Sequence, residues 1–158
     1  MAQGYVSPIA FTQNVLQQVR SSNTTFSTVT GSIPQDDTIP QITEGTEIFS
    51  LSITPKSSSS VLVFEVVVTG QNTAGYVSAL CLFKTGTSNA LACTCFSGGA
   101  DVFTWKLLYS QSSGSTSAQT FTVRLGKEVG NIYINGISTG RLFGGVQTSY
   151  FTITEYAS

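Results

Sequence analysis

A chain of 158 residues with 41% hydrophobic side chains can bury the core of one globular domain, and no apolar run in it approaches the roughly 18 residues of a membrane-crossing helix. Only 9% of the residues are charged, against about 25% in ordinary soluble domains, and 7 basic against 8 acidic residues leave a net charge of −1. Arg20, Lys56, Lys84, Lys106, Arg124, Lys127 and Arg141 are scattered along the chain, so the sequence offers no clustered positive face for nucleic acid or for a membrane surface.

Ser, Thr, Gly, Asn and Gln fill the polar positions instead. A surface this poor in charge suits a subunit that covers much of its outside with neighbours, the alternative being a secreted β-domain. The start, Met1-Ala2-Gln3-Gly4-Tyr5, lacks the basic residues and apolar run of a signal peptide, so synthesis and assembly are expected in the cytoplasm.

At the N-terminus two readings compete. Ser7-Pro8 is suited to open a helix, with Phe11, Val15 and Val19 on one face. Against it, Val15 and Val19 are β-branched, and Ser21-Ser22-Asn23 ends the run early. From there on the period is two, the mark of strands with one buried face. Phe49, Leu51 and Ile53 alternate with serines. Val61 to Thr69 is apolar on both faces apart from Glu65, which predicts a central strand covered on both sides, inside a sandwich or at a subunit interface. Tyr76 to Lys84 and Ala90 to Phe96 follow, then Phe103, Trp105, Leu107 and Tyr109, then Phe121, Val123 and Leu125. Ile132 to Ile134 and Thr148 to Tyr156 complete the set. Pro55 to Ser60, Gly70 to Gly75, Thr85 to Asn89, Gly98-Gly99, Ser112 to Ser115 and Asn135-Gly136 supply turns. Short strands at this spacing predict an all-β fold, an antiparallel jelly-roll-like sandwich of about 8–10 strands. The expected division is an N-terminal arm over 1–14 and one β-sandwich domain over 15–158.

Catalytic residues are not expected. The chain has 0 histidines, which removes Ser-His-Asp and Cys-His systems and histidine-based zinc sites. Asp36, Asp37, Glu44, Glu47, Glu65, Asp101, Glu128 and Glu155 are the carboxylates from which a glycosidase pair would have to come. Four of them, Asp36, Asp37, Glu44 and Glu47, fall in one loop region that could hold Ca²⁺, but without EF-hand spacing, and ordinary turns account for them. No cofactor is expected. If Thr85 to Asn89 turns a hairpin, Cys81 stands opposite Cys93, where a cross-strand disulfide is conceivable. The odd count with Cys95 and a cytoplasmic origin favour free, buried thiols. Gly140 to Gly145 lacks the Lys-Ser/Thr of a phosphate loop and reads as a close turn between the last two strands. Trp105, Tyr109, Phe121 and Tyr150 have the alternating spacing of core aromatics, although such rings can also stack on sugars.

Ile33-Pro34-Gln35-Asp36-Asp37-Thr38-Ile39-Pro40-Gln41, Thr43 to Glu47, Leu51-Ser52-Ile53-Thr54-Pro55 with its serine run, and Gly140-Arg141-Leu142-Phe143-Gly144-Gly145 carry a resemblance that covers Val15 to Tyr156. The chain resembles small all-β bacteriophage virion proteins, found as head decorations and as tail-fibre tips. The resemblance implies a jelly-roll-like sandwich, usually a homotrimer, with Val15 to Arg20 as the first strand.

With no heptad or collagen-like shaft ahead of that strand, the expected role is a capsid decoration (cement) protein on the virion surface, bound to the major capsid protein. Tyr5, Pro8, Ile9 and Phe11 would anchor its arm, and Arg141 would make a charged contact between subunits. The alternative is a tail-fibre adhesin gripping a host surface glycan or protein through the loops Gly70 to Gly75, Ser97 to Gly99 and Gln111 to Ser117.

Overall fold

The computed structural model describes residues 14–73 and 75–158. Tyr5, Pro8, Ile9 and Phe11 lie outside the described residues. The strands, in chain order, are β1 (Val15–Asn23), β2 (Ser27–Val29), β3 (Thr46–Ile53), β4 (Val61–Asn72), β5 (Ser78–Lys84) and β6 (Ala92–Phe96). They continue with β7 (Val102–Ser112), β8 (Gln119–Lys127), β9 (Ile132–Ile134), β10 (Gly136–Ile137), β11 (Gly140–Arg141) and β12 (Ser149–Tyr156). The strand reading of Val15 to Val19 therefore holds over the helical one. β2, β10 and β11, of two or three residues each, have no counterpart in the sequence reading.

One sheet runs β1-β12-β4-β9-β2 with β7 also on β4, and the other runs β3-β8-β5-β6. All pairings are antiparallel. β4 takes β7 along its whole length on one side, and on the other β12 followed by β9. Setting aside the short strands leaves β1-β12-β4-β7 facing β3-β8-β5-β6, the four-on-four arrangement of a jelly roll.

The core lies between the sheets. Leu62, Phe64, Val66 and Val68 of β4 point inward with Phe151 and Ile153 of β12, and meet Leu80 and Leu82 of β5 with Phe121, Val123 and Leu125 of β8. Phe64 sits edge-on to Phe121 with ring centres 4.7 Å apart. Trp105 is buried and donates its indole N–H to Ser78 Oγ at 2.9 Å, which removes the cost of burying that donor.

The strand covered on both faces is β5 rather than β4. Its outward residues Cys81 and Phe83 are buried with Ile33 beneath the segment 30–45, which crosses the outside of the smaller sheet as a strap. Strap and sheet approach so closely that a Cβ at Gly126 of β8 would stand 2.7 Å from the Gly31 carbonyl oxygen. Bonds of Ala90 N–H to Pro40 O and Ile42 N–H to Ser88 O, 2.9 and 2.8 Å, tie the strap to the β5–β6 turn. β4 by contrast has only its inner face sealed; Val61, Val63, Glu65 and Val67 on the outer face are half-buried by their neighbours in the sheet. Hydrophobicity on two faces is thus met in β5 by cover from the chain itself, whereas the described residues place no such strap over the outer face of β4.

Candidate interaction surfaces

The outer face of the larger sheet is the first surface. Val63 and Val67 of β4 stand beside Leu108 of β7, which is 63% exposed, and Glu65 pairs with Lys106 at 3.4 Å between them. A shallow depression at this place is lined by Val63, Leu108, Tyr109 and Ser110. Further along, Arg20 lies over the Tyr150 ring at 4.1 Å, a cation–π contact on the same face. Of the four aromatics considered above, Trp105 and Phe121 are core and Tyr109 packs on Phe64, so Tyr150 alone faces outward.

The second surface is the loop that carries Arg141. β10 and β11 form a small hairpin held to β4 by a 2.7 Å bond from Ser138 N–H to Gln71 Oε1. The chain then makes a 3-10 turn over Phe143–Gly145. Phe143, Gly144 and Gly145 all have positive φ, at 49°, 63° and 92°. Glycine adopts this region freely, but phenylalanine does not. Phe143 is also 73% exposed and Val146 78%, with Arg141 exposed next to them. Gly140 to Gly145 is therefore more than the turn expected: it is a hairpin strand and a left-handed loop that hold two apolar side chains and a guanidinium in solvent.

The third surface is the strap. Asp36 accepts from Thr38 N–H at 2.9 Å and Thr38 Oγ–H at 2.5 Å, which hold its carboxyl below the usual carboxylate pKa. Glu44 accepts from Gln41 N–H at 2.9 Å, and Glu47 faces Arg124 at 3.4 Å. Asp36, Glu44 and Glu47 thus have separate partners; among the described residues no group of acidic or cysteine side chains is placed to share a metal ion. A cavity of about 260 Å³ is lined there by Asp36 and Gln35 together with Ile33, Pro34, Val77, Ala79 and Cys95.

Cys81 and Cys93 are joined in a disulfide, with Cα atoms 4.1 Å apart, and Cys95 is a free, exposed thiol. This corrects the expectation of three free thiols. The counted register is the one observed, Cys81 opposite Cys93, and cross-strand proximity outweighs the argument from compartment. The loops assigned to an adhesin also change. Gly70 to Asn72 belongs to β4, and the β6–β7 loop lies at the same end of the sandwich, whereas Ser113 is tied to Ser60 at the opposite end.

Two buried ionic groups escaped the sequence reading. Glu155 is fully buried and accepts from Ser60 Oγ (2.6 Å), Gln17 Nε2 (2.5 Å), Lys56 N–H (2.8 Å) and Ser57 N–H (3.2 Å). Burial pushes its pKa up, and these bonds outweigh that and hold it below the ordinary value. Lys127 is 2% exposed and donates to Thr73 O and Oγ1 at 2.6 and 3.1 Å; burial lowers its pKa. Only the serine run ahead of β4 hinted at the first, since a cluster of hydroxyls and free N–H groups needs an acceptor.

No curated protein matches the chain. Among solved structures it is similar to the enzymatically active domain of bacteriophage CBA120 tailspike protein 4, at 15% identity and TM-score 0.34 over 74% of this chain and 18% of that one. It is similar also to a chain of infectious bursal disease virus Gx strain, at 10% identity and TM-score 0.40 over 98% of this chain and 42% of that one. The chain therefore spans less than half the length of either, and at these scores neither bears on its function. The family model that matches, over residues 10–157, is that of the Pgp3 C-terminal domain and not of a phage virion protein, so the chain belongs to the Pgp3 C-terminal domain family.

Proposed function

We propose that the protein is a structural subunit of a virion surface: a homotrimer that decorates a phage head by binding the major capsid protein, with no catalytic step. The observation that carries this reading is the outer face of the larger sheet. Val63, Val67 and Leu108 set apolar side chains there around the Glu65–Lys106 ion pair, and β7 borders the face as an edge strand of 11 residues. A long edge beside an apolar face is what soluble proteins cover or blunt, and closed symmetry covers it with copies of the same chain. The 9% charge content supports the same use of the surface. Jelly rolls serve as capsid domains, which agrees in architecture. In this reading Tyr5, Pro8, Ile9 and Phe11 are the arm that docks on the shell.

Cosedimentation with undecorated heads tests the proposal. The full chain should bind, and a chain lacking residues 1–14 should remain trimeric but fail to bind. Binding that survives the deletion would remove the arm from the mechanism, and no binding by the full chain would remove the decoration role. A second reading, a surface adhesin, is favoured by Tyr76, 41% exposed on the loop after β4. A glycan array or whole host cells would then capture the isolated protein, which a decoration protein should leave unbound.

A further inference from the structure

Asn135 ties three distant segments to the link between β9 and β10. It is fully buried, with φ at 57°, in the left-handed region that asparagine enters more readily than most side chains. Its side-chain amide donates to the carbonyls of Asn23 and Thr25, at 2.9 and 3.1 Å, where β1 passes into β2. Its Oδ1 accepts from Ser149 Oγ of β12 at 2.8 Å, and its backbone N–H donates to Thr69 O of β4 at 2.8 Å. The residue after it is equally constrained. Gly136 is buried, and a Cβ there would stand 2.5 Å from Gly140 O and 2.6 Å from the Phe26 ring. The fold therefore asks for asparagine and then glycine at this place.

That dipeptide is chemically labile, and the sequence contains it once. With no Cβ on the following residue, the backbone nitrogen of Gly136 is free to approach the side-chain amide. The nitrogen attacks Asn135 Cγ, the Cγ–Nδ2 bond breaks, ammonia leaves, and a cyclic imide remains. Water then opens the imide to aspartate, or to isoaspartate when the main-chain side is cut, and nothing is oxidised or reduced. The folded chain blocks this sequence at both steps. Turning Cγ onto the Gly136 nitrogen would break the bonds to Asn23, Thr25 and Ser149, and full burial keeps out the water that the second step consumes.

We infer that Asn135-Gly136 is a deamidation site that the native fold holds closed, and that its reaction in the opened chain makes prolonged unfolding irreversible. Aspartate at 135 would replace the two donated bonds by a carboxylate oxygen facing the carbonyls of Asn23 and Thr25, in a buried site where such groups need donors. Isoaspartate would add a carbon to the main chain where Gly140 and Phe26 already press on Gly136. Either product is a chain that the native packing rejects. This inference stands apart from the virion reading and does not depend on the oligomeric state.

Peptide mapping by mass spectrometry tests it, on the full chain held in mildly alkaline buffer with and without urea. Asn135 should convert in urea and should be slower by about tenfold or more in the native protein, where conversion has to wait for local opening. After dilution from urea, the refolded fraction isolated by size exclusion should be depleted in aspartate and isoaspartate at 135 relative to the aggregated fraction. N135D made directly should unfold at a lower urea concentration than the parent or fail to fold. Equal conversion with and without urea would overturn the protection, and no conversion in urea would overturn the site. Deamidated chains recovered in full among refolded molecules, or N135D with the parent's urea midpoint, would overturn the irreversible step.

Discussion

Two residues are placed where their type is costly, and each has a different reason. Glu155 is a carboxylate with no cationic partner among the described residues, held by neutral donors from the Lys56–Ser60 loop and from β1. Glu155→Ala should leave those donors unpaired and cost about 1–3 kcal/mol or more, seen as a lower midpoint in urea unfolding. Its depressed pKa also sets a sign for acid. The folded group holds its charge below the unfolded value of about 4.5, so this contribution is complete above that pH and disappears as pH falls through the folded pKa. Urea midpoints measured from neutral pH downward should fall less steeply in Glu155→Ala than in the parent. Phe143 is costly in another way, for its left-handed backbone and solvent-facing ring give the isolated protomer nothing in return. Phe143→Gly should raise protomer stability by about 1 kcal/mol. A loss of stability there would mean that the ring packs within the protomer after all.

At the level of elements, the smaller sheet is stapled from outside. β5 and β6 are held by the Cys81–Cys93 disulfide, and the strap covers β5 through Ile33, Cys81 and Phe83. The bond closes a loop with a sequence separation of 12, for which chain entropy predicts about 3 kcal/mol. Replacing both cysteines by alanine should lower the unfolding midpoint accordingly, while a reductant should have no effect on that double variant. The hairpin register is what lets this bond form: a shift of one residue would carry Cys93 to the opposite face of the sheet from Cys81.

For the whole molecule, the first and last strands are structural. β1 and β12 pair along nearly their full length, and β12 lies between β1 and β4 with Phe151 and Ile153 in the core. The domain cannot close until its last strand arrives, so truncation before Ser149 should leave a chain without cooperative unfolding by circular dichroism. Pairings between residues as distant as Val15 and Tyr156 also place refolding in the slow range of about milliseconds to seconds.

The alternation of Phe49, Leu51 and Ile53, of Phe103 to Tyr109 and of Phe121 to Leu125 was enough to announce an all-β sandwich, because burying one face of a strand forces a period of two. Serine and glycine runs marked where strands end, and counting from the Thr85–Asn89 turn gave the Cys81–Cys93 register. The pattern could not say which faces receive a second cover. β4 and β5 are both apolar on two sides, yet only β5 lies under the strap, since that choice depends on where residues 30–45 cross a sheet far from them in the chain. Nor could local spacing show Glu155 reaching the serine run or Gly140 to Gly145 holding Phe143 outward. Those are relations between distant segments, and they exist only once the two sheets have packed.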